Sequence, residues 1–129
     1  MPHADVVFYA DGDGRAPVVE WLEDLRSTDE FAYGRCAAAI GRLAGLGHEL
    51  RRPLADILRN GVYELRIRSG RVNIRILYFF HGRGLAILAH ALTKKGIVPT
   101  ADIDRAVRRK LAFEANPRAH TYIGGGAEE

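Results

Sequence analysis

Four arginines, Arg66, Arg68, Arg71 and Arg75, fall at even spacings within two short runs of V-Y-E-L-R-I-R-S-G-R-V-N-I-R-I-L-Y-F-F, residues 62–80. A guanidinium is always charged, and its planar fork matches the oxygens of a phosphate. The runs alternate apolar and polar residues around Ser69-Gly70, the pattern of a β-hairpin. With Ser69-Gly70 as a two-residue turn, Arg68 faces Arg71, Ile67 faces Val72, Arg66 faces Asn73, Leu65 faces Ile74 and Glu64 faces Arg75. Residues opposed across an antiparallel ladder share a face. One face is then Tyr63, Leu65, Ile67, Val72, Ile74 and Ile76, a core layer. The other carries the four arginines, diluted only by Glu64 and Asn73. Like charges on one side of two strands repel, so folding alone does not account for them. They describe a surface for phosphate. A plainer reading stands beside this one: Arg75 as the cross-strand ion-pair partner of Glu64, Arg66 as a solvated strand residue, and Arg68 and Arg71 as exposed flanks of the turn.

The charge of the chain is segregated in the same sense. Residues 1–50 hold nine Asp/Glu against four Lys/Arg, a net of −5, whereas residues 51–118 hold fifteen Lys/Arg against five Asp/Glu, a net of +10. The basic half begins just before the hairpin, which favours a polyanionic partner. With 129 residues the chain fits one domain with a real core. Residues 1–123 are read as that domain and 124–129, Gly-Gly-Gly-Ala-Glu-Glu, as a mobile tail. Cys36 is the only cysteine, so one chain offers neither a disulfide nor a cysteine-ligated metal site. His3, His48 and His120 have no metal-ligand spacing, and no metal or cofactor is expected. No apolar run approaches the ~20 residues that span a bilayer, and no signal-peptide pattern opens the chain. The expected location is the cytoplasm, with no membrane partner.

The elements that must hold the hairpin follow from periodicity and punctuation. Val6–Tyr9 reads as a strand ended by Asp11-Gly12-Asp13-Gly14. Val18, Trp21, Leu22 and Leu25 recur at helical spacing after Pro17, with Glu20, Glu23 and Asp24 outside. Trp21 is core or a partner surface. This acidic helix cannot attract a polyanion and is expected to face away from one. Ser27-Thr28-Asp29 caps a second helix whose inner side is Phe31, Cys36, Ala39, Ile40, Leu43 and Leu46. Residues 48–60 read as a connecting loop. After the hairpin, His81–Gly84 turns the chain into Leu85–Leu92, apolar throughout and therefore an inner strand covered on both faces. Thr100 caps a last helix with Asp102 and Asp104 near its positive end. Its apolar stripe is Ile103, Ala106, Val107 and Leu111, and Arg105, Arg108, Arg109 and Lys110 make the remainder basic. The order β-α-α-β-β-β-α gives an α+β fold, a mainly antiparallel sheet packed with two N-terminal helices and one C-terminal helix.

The order of elements and several local motifs resemble RelE/HigB-type toxins of type II toxin–antitoxin systems, in particular their phage-derived HigB-like branch. The matching pieces are P-V-V-E-W-L at 17–22, G-V-Y-E-L-R at 61–66, N-I-R-I-L-Y-F at 73–79, and H-A-L-T-K-K at 90–95 followed by Pro99. They cover roughly residues 5–115 in the family's order. The resemblance implies a metal-independent endoribonuclease that cuts messenger RNA on the ribosome, inhibits translation, and is silenced by a helix-turn-helix, HigA-like antitoxin. It implies that Arg66 is a basic active-site residue, that Arg75 binds the scissile phosphate, and that Lys94 and Lys95 stabilise the transition state or donate a proton. His90, five residues before Lys95, is kept as a proton shuttle beside its reading as a structural histidine. Arg68, Arg71, Asn73, Arg108 and Arg109 are the expected RNA contacts. The chain departs from the branch at Leu92, where an aromatic is usual, and has neither a tyrosine nor an acid after Lys95, so the resemblance names no general base.

Metal-free RNA cleavage needs the 2′-hydroxyl in line with the departing 5′-oxygen and cations around the phosphorane. Rival readings use the same fold without that chemistry: a ParE-like inhibitor of DNA gyrase, or a phage-derived protein that has lost catalysis and only binds RNA or its antitoxin.

Overall fold

The hairpin forms, but its turn lies one residue later than the sequence reading placed it. In the computed structural model, which describes residues 3–124, β3 (Val62–Ser69) and β4 (Val72–His81) close on the pair Ser69↔Val72, leaving Gly70-Arg71 as the turn. The first central position is Gly70 with φ +59°, a conformation that glycine adopts without steric cost. Reading Ser69-Gly70 as the turn puts glycine at the second position instead. The correction shifts every pair by two residues, and because side chains alternate, each keeps its face. Arg66 now stands directly opposite Arg75, and Arg68 opposite Asn73, while Arg71 leaves the ladder for the turn.

The elements run β1 (Asp5–Phe8), α1 (Pro17–Thr28), α2 (Glu30–Leu46), β2 (Ala55–Arg59), β3, β4, β5 (Leu85–Thr93) and α3 (Thr100–Ala115). The sheet order is β1-β5-β4-β3-β2, antiparallel except where β1 runs parallel to β5. The strand β2 corrects the expected loop at 48–60. It is an edge strand with Ala55 buried and Ile57 exposed, and five residues of mixed character with Pro53 just ahead carry no clear alternation. Of the expected tail, all but Gly124 lies outside the described residues. Among the described residues no helix is long and apolar enough to cross a membrane.

The helices cover the sheet on both faces. α1 and α2 pack Val18, Leu22, Cys36, Ala39 and Leu43 against Leu65, Ile67, Ile74, Ile76, Tyr78 and Leu88. On the other face α3 sets Ala106 with Val98 against Val62 and Leu77, and Phe113 against Phe79, Ile87 and Ala89. Burying such side chains contributes about 1.5–3 kcal/mol each. Asp29 caps α2 by accepting from the Ala32 amide at 3.0 Å. The buried stripe of α2 is Ala32, Cys36, Ala39 and Leu43. Phe31, expected inside, is 71% exposed because it belongs to the neighbouring stripe, and Leu46 is also exposed. On α3, Phe113 takes the core position expected of Leu111, which lies exposed at 60%. Burial pushes the Cys36 thiol up to about 11, as befits an unreactive core residue.

Candidate functional site

The α3 face of the sheet changes character along β3. Val62 lies under α3, but two residues on, Glu64 begins a charged half that includes Arg66, Asn73 and Arg75. Glu64 is buried between the two arginines. Its Oε2 accepts from Arg66 Nη2 at 2.9 Å and Nε at 3.2 Å, and its Oε1 accepts from Arg75 Nη1 at 3.3 Å. Asp56 on β2 adds a second carboxylate 3.5 Å from Arg66 Nη2 while it also holds Arg52 at 2.9 Å. The ion pair weighed for Glu64 and Arg75 is therefore real, and it reaches Arg66 too. One buried carboxylate offsets the repulsion that would otherwise drive the two guanidiniums apart.

Pairing does not use up the arginines. No hydrogen bond within the described residues engages Nε or Nη2 of Arg75 or Nη1 of Arg66. The Arg66 side chain is 39% exposed and that of Arg75 only 12%, so the first is reachable and the second rigidly held. Arg75 Nη1 also donates to Gly96 O at 2.8 Å, which ties the segment after β5 to the cluster. The Lys94 amide donates to Asn73 O at 2.9 Å, and Gly96 turns at φ +77°. The backbone of residues 94–96 thus runs alongside Asn73 and Arg75. Both Lys94 and Lys95 are exposed, with no ion-pair partner among the described residues.

Arg66, Arg68, Asn73 and Arg75 reach from the α3 face to the edge of the sheet beyond β2, where with Pro53 and Leu54 they line one side of a cleft of about 500 Å³. The opposite wall is α2, with Arg35 and Arg42 on it and Ala38 between them. Among the described residues, five arginines and no carboxylate line this space. Arg35 Nε donates to Arg68 O at 2.6 Å, joining helix to hairpin. The sequence reading missed Arg35 and Arg42, counting them within the acidic half of the chain. Their signal was present in the spacing Phe31, Arg35, Ala38, Arg42, one residue ahead of the buried stripe throughout. Arg71, in the exposed turn, does not line the cleft.

His90 lies elsewhere on this face, beneath α3. Its Nε2 is 2.7 Å from Asp102 Oδ1, and Arg109 Nη1 is 3.4 Å from its Nδ1. A neutral ring that donates from Nε2 and accepts at Nδ1 satisfies both neighbours. Burial lowers the His90 pKa below its ordinary value, the Asp102 hydrogen bond opposes this, and the Arg109 charge adds to it. Arg109, expected among the RNA contacts, is turned inward: Nη1 donates to Ala89 O at 2.7 Å and the guanidinium lies over the Tyr9 ring. Arg108 is exposed on α3, outside the cleft lining. His48, His81 and His120 stack or pack on Phe80, Phe113 and Tyr9 respectively. Among the described residues no group of His, Cys, Asp and Glu is placed to hold a metal ion.

The model of the phage-derived Gp49-like family (DUF891) matches residues 23–111, more than half of the chain. The chain belongs to this family. Gp49-like proteins are associated with RelE-like toxins, and the five-stranded α+β architecture is compatible with a RelE-like fold. No curated protein matches the chain. In this Gp49-like protein the matched span takes in α2, the hairpin and the Lys94-Lys95 segment, and so every arginine of the cleft.

Proposed function

We propose that this Gp49-like protein is the toxin of a type II toxin–antitoxin module and cuts messenger RNA in the ribosome without a metal. The observation that carries the reading is the opposed pair Arg66 and Arg75, held by buried Glu64 with guanidinium nitrogens left for a ligand. Preorganised cations of this kind stabilise a phosphorane without reorganising as its charge develops. In the reaction the 2′-hydroxyl gives its proton to solvent water as its oxygen attacks phosphorus, the bond to the 5′-oxygen breaks, and a 2′,3′-cyclic phosphate and a 5′-hydroxyl result. Arg75, the more tightly held cation, binds the scissile phosphate. Arg66 neutralises the charge that grows on it. Lys94 or Lys95 delivers the proton to the leaving 5′-oxygen. A helix-turn-helix antitoxin silences the toxin in this reading, and the ribosome presents the substrate.

Induction of the wild type and of an Arg75→Ala/Lys95→Ala variant, followed by mapping of new 5′ ends in cellular mRNA, tests this. Codon-phased ends lost in the variant are the expected result. Growth arrest with DNA damage and intact mRNA overturns it in favour of gyrase inhibition. RNA binding without new ends, by folded protein, overturns it in favour of a protein that holds RNA but does not cut.

A further inference from the structure

We propose that α2 provides a second RNA-binding track, in which Arg35 and Arg42 grip backbone phosphates flanking the one at Arg66 and Arg75, and Phe31 stacks on an unpaired base. The proposal rests on the nuclease reading for its substrate, single-stranded RNA, but not for its geometry.

Three observations carry it. The first is that Arg35 and Arg42 share one cleft with Arg66, Arg68 and Arg75, so a strand seated at the opposed arginines has cations along the other wall. At ~1.5 Å rise per residue the two are about 10 Å apart along the helix, enough for separate phosphates. The second is the state of these side chains. Arg35, which lines the cleft, uses only Nε, on Arg68 O, and neither Arg35 nor Arg42 has an ion-pair partner among the described residues. Ala38 and Gly34 keep the space between helix and strand clear, and a Cβ at Gly34 would meet nothing within 4 Å.

The third observation separates RNA from an acidic peptide. Phe31 lies four residues before Arg35 on the same stripe, about one helical turn beyond the cleft lining, and is 71% exposed. An exposed aromatic in line with arginines is what single-stranded nucleic acid uses, because bases stack on the ring while phosphates meet the cations. An acidic peptide offers the ring no base to stack on, only an apolar side chain, and its binding is the rival outcome of the test.

Fluorescence anisotropy of a labelled 2′-O-methyl RNA decamer, which cannot be cleaved through its 2′-oxygen, tests the track on the full chain over a range of salt. Two phosphate contacts on a single strand contribute a slope of about 1.4 in log affinity against log salt. The Arg35→Gln/Arg42→Gln variant is expected to lose that much slope and at least tenfold in affinity. Phe31→Ala is expected to lose about fivefold or more with its slope unchanged. Arg83→Gln, in the distant β4–β5 turn, serves as the charge control. Arg42→Gln alone, which removes no hydrogen bond or ion pair among the described residues, guards against a loss of fold. An unchanged slope in folded Arg35→Gln/Arg42→Gln overturns the proposal, as does tighter, variant-sensitive binding of a glutamate-rich peptide. Wild-type cleavage of mRNA with no change in variant binding sinks this inference and leaves the nuclease reading standing. Variant-sensitive binding by a wild type that never cleaves does the reverse.

Discussion

Two charged clusters share the α3 face of the sheet, and they are built to opposite ends. In the Asp102–His90–Arg109 cluster both ring nitrogens have partners in the protein, Arg109 Nη1 is bonded with the guanidinium packed over the Tyr9 ring, and α3 roofs the group. In the Glu64–Arg66–Arg75 cluster Glu64 serves both guanidiniums, Asp56 reaches only Arg66, donors remain, and the surface opens into a cleft lined with further arginines. Closed polar networks fix a fold, whereas a partly satisfied cationic one invites a ligand. The comparison teaches that residue type alone does not mark a site. Histidine with a carboxylate has the chemistry of a proton shuttle, yet here it is the open arginines that face the cleft.

The comparison breaks most easily at Glu64. Glu64→Ala leaves Arg75, only 12% exposed, without its carboxylate, and should cost about 3–5 kcal/mol in urea unfolding. A loss below about 1 kcal/mol would mean that the carboxylate does not hold the pair. Next comes Arg75→Lys, which keeps the charge but not the fork. Cleavage by folded protein should fall roughly 10²-fold, near the lower end of what one oxyanion donor contributes; full activity would remove Arg75 from the phosphate. The closed cluster should behave differently. His90→Ala should cost about 1–3 kcal/mol of stability, by stranding Asp102 and Arg109, and leave the cleavage rate of folded protein within about threefold. An inactive but stable variant would restore His90 as a catalyst.

The smallest effect is a slope in pH. The folded His90 pKa lies below its unfolded value of about 6.5, so the unfolded chain binds more protons as pH drops. The contribution of His90 is present above that value and is lost as pH falls through the folded pKa. Unfolding free energy should therefore decline on acidification, by up to about 1.4 kcal/mol per pH unit from this group, and the decline should be shallower in His90→Ala. Equal slopes would show that His90 does not titrate differently on folding.

Much of this is legible in the sequence alone. The two faces of the hairpin survived an error in the turn because strand parity is insensitive to a shift of two. The direct opposition of Arg66 and Arg75 was not legible, since it depends on which central turn position takes a positive φ. The edge strand β2 escaped for want of alternation. Arg35 and Arg42 escaped for a different reason: a helix's outer residues can be listed from periodicity, but what they face depends on how the helix crosses the sheet. Arg109 shows the converse, since a basic helix surface was expected and one of its arginines packs inward on Tyr9 and Ala89.

The most direct test of the open cluster as a reaction centre uses purified ribosomes, a short mRNA and the folded protein. The cleaved nucleotide is supplied once as ribose and once as 2′-deoxyribose. The account predicts cleavage of the ribose substrate to a 2′,3′-cyclic phosphate, loss of that product with the deoxy substrate, and loss of it again with Arg75→Ala. No cleavage of the ribose substrate, or equal cleavage of both substrates, would contradict it.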